Sequence, residues 1–542
     1  MRVCVPIVNI AGVEVNESDR PWAPAVLSAL AALALYAITL SGTYIYDDVQ
    51  IILLDPRISH ANLWRQIWTM DYFHGGLDHL YRPLITQSYA VQWWLHGNRA
   101  WAFHLVNLLL NAGACAAVAE LGRRLAGWRI GLIAGLLFAA HPVHSEAVAE
   151  IVGRADVACT LGVLLAMILF WHRPITTGRA LAIYAMCLVA ILSKEQGMLI
   201  PLLLLALEWL RRREGGDAPD GRQRQAILLL TALLVWTIGG LIFLREEVLD
   251  LKFEWDPVFL DWVIQPLAHA HGWNRALIPV ALLGRYLGLL VAPARLSIDY
   301  GYAVIGWTID CRNPYLWLGF ATIALWIAAA ALCAARRWWT GLFCLMSMAI
   351  TYSMIANYIV IGTILGERLI YLPSAFFLML LAMAIARLSP PVRVTALVVL
   401  VSLGALRTFS YLRHWNDRDT FYTYSLEQQP RSVQIHMLVG YCAYEEGRLD
   451  DARAVLSRGE QLAPDYWQLW KMSAAVEEQT GNWAAAVADY RRAFDTAQNP
   501  AAVVEGLNRA TQMLRKSREK REAQTRPAST TGRSPHPAAA GP

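Results

Sequence analysis

The sequence predicts an all-α membrane protein, a bundle of about eleven spanning helices followed by a short helical solenoid. Three observations lead there. Long apolar runs fill residues 23–411, and the chain as a whole is 56% hydrophobic with a mean hydropathy of +0.36, whereas soluble domains stay near ~45–50% apolar. Arginines collect in the short loops between those runs. Residues 433–498 repeat with a period of 34, which is the length of a helix–turn–helix repeat unit.

A helix needs ~20 mostly apolar residues to cross a bilayer. Runs of that kind lie at 23–43, 102–121, 130–150, 156–172, 179–193, 196–210, 226–244, 315–334, 339–361, 371–387 and 393–411. Cytoplasmic loops accumulate Lys and Arg, and Arg123, Arg124, Arg129, Arg173, Arg179, Arg211, Arg212 and Arg213 fall on one side of this arrangement. Arg336, Arg337, Arg387 and Arg393 join them only if a further apolar stretch, 277–293, makes no net crossing. The expected layout is then a cytoplasmic segment 1–22, a membrane domain 23–411, and a C-terminal part outside the cytoplasm. Glu14, Glu17 and Asp19 leave no apolar core for a cleaved signal peptide, so the first span must also target. A net charge of +5 spread over loops gives no nucleic-acid-binding face. Eight cysteines without a CxxC pair give neither a disulfide frame nor a zinc site.

The soluble end reads as tetratricopeptide-like repeats over 412–516. Gly447 recurs as Gly481, Ala452 as Ala486, and Pro430 as Pro464. Trp470 occupies the first aromatic position and is expected to be buried. A half-repeat at 416–430 and a closing helix at about 501–516 complete the minimum stack that buries a shared core. Residues 517–542 are charged, Pro-rich and expected to be disordered.

Ionisable residues near membrane depth are costly and face a cavity or a partner. Here they gather at the outer ends of the spans and in the first external loop, 44–101, which carries Tyr46, Asp47, Asp48, Asp71, His74, Asp78, His79 and Arg82. Asp47 and Asp48 follow the first span, where a carboxylate can take a proton from an acceptor hydroxyl; the bland alternative is a helix cap. His141 and His144 share a helical face, with Glu146 beside them, but no third ligand has suitable spacing, so no metal site is assigned. Arg154 with Asp156, Lys194 with Glu195, and Glu367 with Arg368 are pairs that either neutralise themselves at turns or bring cations to a phosphate. Asp299 belongs to the same outer set.

The segments YDDVQIILLDPRI, YRPL, HPVHSEAVAEIVGRADV, LSKEQGM, LSIDYGY, GERLIYLPS and HWNDRDTFY occur in this order over roughly residues 40–500. Together they resemble the TMTC family, transmembrane and tetratricopeptide-repeat protein O-mannosyltransferases. The resemblance implies a GT-C membrane glycosyltransferase fold with its site in the first external loop. It implies a polyprenyl-phosphate sugar, typically mannose, as donor and a protein Ser or Thr as acceptor. The acidic pair of that superfamily falls on Asp47 and Asp48; which of them is the base stays open, with Asp47 preferred. Having only about two full repeats, the chain departs from larger family members, which bears on recognition of a long acceptor.

The resulting expectation is an inverting transferase. The donor-phosphate and substrate contacts come from Arg82, His141, His144, Glu146, Arg154, Asp156, Lys194, Glu195, Asp299, Glu367 and Arg368. A metal is optional, because the leaving group is already a phosphate ester. Partners are the lipid-linked sugar and an acceptor protein, recruited through the repeats. The compartment expected is a bacterial inner membrane with loop 44–101 and the repeats periplasmic, or the endoplasmic reticulum in a eukaryote. The alternatives are a non-catalytic scaffold that recruits envelope proteins, and a related transferase acting on a glycolipid or polysaccharide.

Overall fold

The computed structural model describes residues 20–73, 80–245, 261–497 and 499–525. His74, Asp78 and His79, most of the N-terminal segment, and 526–542 of the expected tail lie outside the described residues. The chain divides into two compact units between Ile435 and His436. Among the described residues every regular element is helical.

The first unit runs α1 (Ala23–Tyr36), α2 (Pro56–Ser59), α3 (Pro83–His96), α4 (Ala100–Ala126), α5 (Trp128–Ala140), α6 (Ser145–Ala149), α7 (Arg154–Trp171), α8 (Thr177–Ser193), α9 (Ile200–Arg213) and α10 (Gly221–Phe243). It continues through α11 (Trp273–Val291), α12 (Pro314–Ala335), α13 (Trp339–Ser353), α14 (Tyr371–Ala386), α15 (Pro390–Leu412) and α16 (Arg418–Gln428). Proline at the first turn starts α3, α12 and α15, and Asp220 and Asn313 cap α10 and α12 with their side chains. Tight helix contacts need glycine. A Cβ on Gly131 would lie 2.5 Å from the Ala119 carbonyl, and one on Gly135 would lie 2.1 Å from Ser28 Oγ, so α1, α4 and α5 pack backbone to backbone.

By length and composition, eight helical segments among the described residues can cross a bilayer, or nine with one bent pair. Leu325, Leu403 and Leu406 point outward from α12 and α15, exposure that only a lipid surroundings tolerates over whole helices. The protein is therefore a multi-pass membrane protein.

The expected spans differ from the helices in three ways. The run 130–150 is not straight. Pro142 forces His141 into extended backbone (φ −74°, ψ 123°), and the chain bends by 57° there. The run 339–361 ends as a helix at Ser353, and Asn357 beyond it sits at φ 58°. The runs 179–193 and 196–210 become helices of 17 and 14 residues, the second lengthened by a 3₁₀ turn at Glu195–Leu199.

The stretch 277–293 forms α11, 19 residues long and apolar enough to cross. Its length and composition fit a crossing, whereas the arginine pattern expects none; both of its ends are tied to other segments. Near its start, Arg275 donates to the carbonyls of Asn357 and Tyr358, just past α13. At its end, the Leu290 carbonyl meets His141 Nε2 at 2.9 Å, just past α5. His144, a few residues on, contacts Ser374 at the start of α14, and the loop after α13 leads into that same start. These contacts tie the two ends of α11 to the segments that follow α13 and α5. Among the described residues α8, α9 and α13, three of the eleven expected spans, are not among the segments long and apolar enough to cross.

The second unit holds the rest of α17 (Val433–Glu445), then α18 (Leu449–Leu462), α19 (Trp467–Gln479), α20 (Trp483–Thr496) and α21 (Ala501–Thr525). Gly447 and Gly481, 34 residues apart, sit at φ 75° and 76° after successive first helices, so the period seen in the sequence is a repeated turn. Ala474, Ala486, Tyr490 and Ala493 form a shared core with Val503 of α21. Trp470, expected to be buried, is only half-buried; its neighbour Leu469 is the one fully enclosed, against Gly459. The expected half-repeat at 416–430, α16, belongs to the first unit, and α21 continues nine residues past Lys516.

The position of α11 is open to test by single cysteines at Trp273 and Val291, both highly exposed. A membrane-impermeant maleimide should label both from the same side, and a cysteine at Arg337 from the other. Labelling of 273 and 291 from opposite sides would make α11 a crossing and reverse everything after it.

Candidate active site

The first external segment is held by backbone chemistry. After α1 the chain turns at Tyr46, whose φ of 56° is a left-handed conformation in a residue with a Cβ; such positions cost of order 1–3 kcal/mol and persist only where surroundings fix them. The Tyr46 amide donates to Tyr422 Oη at 2.9 Å. Asp48 is fully buried, and its carboxylate accepts from the amides of Ile45 (3.2 Å), Ile151 (3.2 Å) and Val152 (2.9 Å). Burial pushes this carboxyl up to about 7, the three N–H donors pull the other way, and the charge of Asp47 adds to the rise. Asp48 therefore ties the loop to the turn before α7. Gly153 makes that turn possible, because a Cβ there would lie 2.4 Å from the Ala147 carbonyl.

A second clamp lies further along. Arg57 and Asp55 form a buried ion pair at 2.7 Å, and Arg57 also donates to the carbonyls of Asp71 and Tyr72. Around both clamps Tyr44, Ile51, Ile52, Tyr72, Tyr89 and Phe103 pack into one core.

Asp47 points elsewhere. Its Oδ2 lies 3.1 Å from Arg368 Nη2, and about a quarter of its side chain (24%) stays exposed. The same guanidinium pairs with Glu150 and, at 3.4 Å, with Glu146, while the Arg368 amide donates to Glu146 at 3.0 Å. Three carboxylates thus converge on one cation, and Asp47 is the accessible one: the side chains of Glu146 and Glu150 are 3% and 0% exposed.

The adjacent pairs seen in the sequence do not neutralise themselves. Lys194 reaches Asp156, and Glu195 takes Arg82 through two bonds, at 2.9 and 3.2 Å. Arg154 pairs with no carboxylate; it donates to Asn107, Ser88 and the Phe103 carbonyl and lies over the Tyr89 ring. Glu367 turns away from Arg368 to accept from the Ser297 amide (2.7 Å) and Tyr300 Oη (2.6 Å). Each short-range pair is split so that its members join distant segments. Asp299 accepts from the Gly301 amide and Ser432, and burial raises it to about 6.

His141 and His144 are spent on the bundle. His141 accepts from the Val143 amide and meets the Leu290 carbonyl; His144 bridges the Phe138 carbonyl and Ser374. Among the described residues no group of three His, Cys, Asp or Glu is placed to hold a metal.

Comparison with known proteins bears on this arrangement. Residues 85–219 match the family model described as dolichyl-phosphate-mannose-protein mannosyltransferase. Protein O-mannosyl-transferase F38B6.6 of Caenorhabditis elegans is 26% identical over 458 residues, 80% of this chain and 62% of that protein. Tmtc2 of Drosophila melanogaster is 32% identical over 286 residues, 50% of this chain and 29% of its own length, and human TMTC4 is 25% identical over 493 residues, 79% and 64%. The chain is TMTC-like. It spans less than two thirds of the length of these relatives. The crystal structure of ArnT from Cupriavidus metallidurans bound to undecaprenyl phosphate aligns with a TM-score of 0.42 at 17% identity, over 87% of this chain and 80% of that one.

The structure gives the residues named from sequence partners that the sequence did not show. Asp48 faces backbone amides, not an acceptor. Among the described residues Arg82, Lys194 and Arg368 are bound by carboxylates and Arg154 by neutral groups. Glu150 was missed because it stands just past the end of α6 in extended backbone (φ −74°, ψ 125°), a bend that brings it to Arg368 only in the fold. Tyr300 and Asn107 were missed because nothing local marks them.

Thermal unfolding separates the two aspartates. Asp48→Asn offers one acceptor oxygen to three amides and should lose about 1–3 kcal/mol for each donor left unmet. Asp47→Asn removes one of three mutually repelling carboxylates and should unfold no earlier than wild type. The opposite order would contradict the assignment of Asp48 as the strut.

Proposed function

We propose that this protein is an inverting glycosyltransferase that moves a sugar, mannose by the names of its relatives, from a polyprenyl-phosphate carrier to a Ser or Thr hydroxyl of a protein. The observation that carries the reading is the accessible Asp47 held by Arg368 beside a strained backbone turn. The match of residues 85–219 to the mannosyltransferase family supports the choice of donor.

In this scheme the acceptor hydroxyl gives its proton to Asp47. Its oxygen attacks the anomeric carbon from the face opposite the carrier, and the carbon–phosphate oxygen bond breaks with its electron pair leaving on the phosphate. Positive charge grows on the sugar in such a transition state. Asp47, Glu146 and Glu150 around a single guanidinium give a net negative surrounding that favours it. Asp48, Gly153 and Tyr46 fix where Asp47 stands. The scheme needs no metal, because the phosphate leaves without further activation. The arginine pattern supports a position of this face outside the cytoplasm, and on this reading the helical repeats offer the acceptor protein a docking surface.

The test is an in vitro transfer assay with a polyprenyl-phosphate sugar and a Ser/Thr peptide or protein. Asp47→Asn should lower turnover by ~10²–10⁴-fold, the range for loss of a general base, with insertion and stability kept. Wild-type turnover in Asp47→Asn would remove Asp47 from the chemistry. Absence of transfer by the wild-type protein with every polyprenyl-phosphate sugar tried would favour the scaffold.

A further inference from the structure

The last turn of α9 carries a second concentration of charge, well away from Asp47 and Arg368. The turn that leads into α9 holds Glu195, which is paired with Arg82. The 14 residues of the helix then place Arg211, Arg212 and Arg213 ~20 Å further along. Glu208, one turn before the end, is the carboxylate at the centre of this cluster. It accepts from Arg211 at 2.9 and 3.0 Å, from Arg212 at 3.0 Å, and from Arg173, just past α7, at 2.5 Å.

Three guanidiniums thus share one carboxylate. Each guanidinium has five N–H donors, while a carboxylate offers about four acceptor sites, so most of the donors are left over. Arg173 shows this directly: its Nε and Nη1 are shut off from solvent and, among the described residues, meet no acceptor. Its guanidinium lies over the Phe170 ring, 4.9 Å from the centre. Arg212 is 64% exposed beside it. Other charged groups border the cluster. Glu214 accepts from Thr340 Oγ1 at 2.6 Å, the charge of Asp217 acts on Arg211, and Arg213 rests on the rings of Trp209 and Trp339.

The same end of the helix offers an apolar track. Spacings of three and four put Leu202, Leu205, Trp209 and Arg212 on one face of α9. Leu202 and Leu205 are 51% and 66% exposed there. From the cations this face runs back along the helix over bare leucine.

We propose that this end of α9 binds an acidic phospholipid, with its phosphate against Arg173 and Arg212 and its acyl chains along Leu205 and Leu202. Two features choose this occupant. The unspent donors suit a second anion, and the fork of arginine matches phosphate oxygens in pairs. The exposed leucines on the same face suit a hydrocarbon joined to that anion. Free phosphate would meet only the first demand. Basic pockets at the ends of membrane helices hold lipid head groups by the same combination. The site stands apart from the transferase reading and does not rest on it.

Binding can be measured by native mass spectrometry on the full-length protein, stripped of lipid in neutral detergent. The probes are phosphatidylglycerol, phosphatidylcholine and inorganic phosphate. Wild-type protein should hold phosphatidylglycerol roughly tenfold or more tightly than phosphatidylcholine, the gain expected from charge-assisted hydrogen bonds. Arg173→Gln with Arg212→Gln should abolish that preference. Arg212→Gln alone, at an exposed side chain, should already reduce it, which guards against a double variant that fails to fold. Arg124→Gln with Arg393→Gln removes the same charge near the ends of α4 and α15 and should leave the preference intact. Equal loss in the two double variants would make the attraction diffuse and overturn the proposal. So would an unchanged preference in Arg212→Gln, or displacement of phosphatidylglycerol by inorganic phosphate at equal concentration.

Discussion

Arg368 is the charge on which the rest of the site depends. Its guanidinium meets Asp47 from the first external loop and Glu146 and Glu150 from the bent segment after α5, and it stands itself at the start of α14. Three segments far apart in sequence are thus joined at one point near membrane depth. A carboxylate buried there without a counter-charge costs several kcal/mol, so the segments are held to this arrangement by the penalty for leaving it. Asp48 does the complementary work with neutral partners, docking the loop on the amides of Ile151 and Val152 and fixing the direction of Asp47.

The two charge patterns of this unit are spatially sorted. Carboxylates exceed cations around Arg368, whereas among the described residues Arg285, Arg295 and Arg431 stand without carboxylates around a cavity beside α11. Tyr300, which lines the cavity, donates to one carboxylate oxygen of Glu367. The helix α11 takes part in this division. It carries Arg285 to the cavity while its last turn is held by His141.

Much of this was legible in the sequence, because composition and arginine spacing are direct records of the bilayer. The multi-pass membrane character and the 34-residue turn at Gly447 and Gly481 were readable in that way. Asp47 and Arg368 were named, and both stand at the centre. What could not be read was partnership. Lys194–Glu195, Glu367–Arg368 and Arg154–Asp156 look self-sufficient in a line of letters, yet each pair is divided between distant helices, since adjacent residues on a helix point in different directions. The same limit hid the lining of the cavity: Arg285, Arg295 and Arg431 are scattered along the chain, and only the folded backbone brings them to one space. Trp470 misled for a simpler reason. A large aromatic at a repeat position can lie across the surface of the core while the smaller Leu469 fills it.

Arg368 is thus the counter-ion that keeps the buried carboxylates in place. Thermal unfolding of the purified protein tests it through compensation. Arg368→Gln leaves Glu146 and Glu150 buried without a cation and should cost about 3–5 kcal/mol, the penalty for breaking a buried pair from one side. Adding Glu150→Gln to that variant removes the stranded charge and should restore a large part of the loss. An Arg368→Gln protein as stable as wild type, or a double variant no better than the single, would contradict the claim.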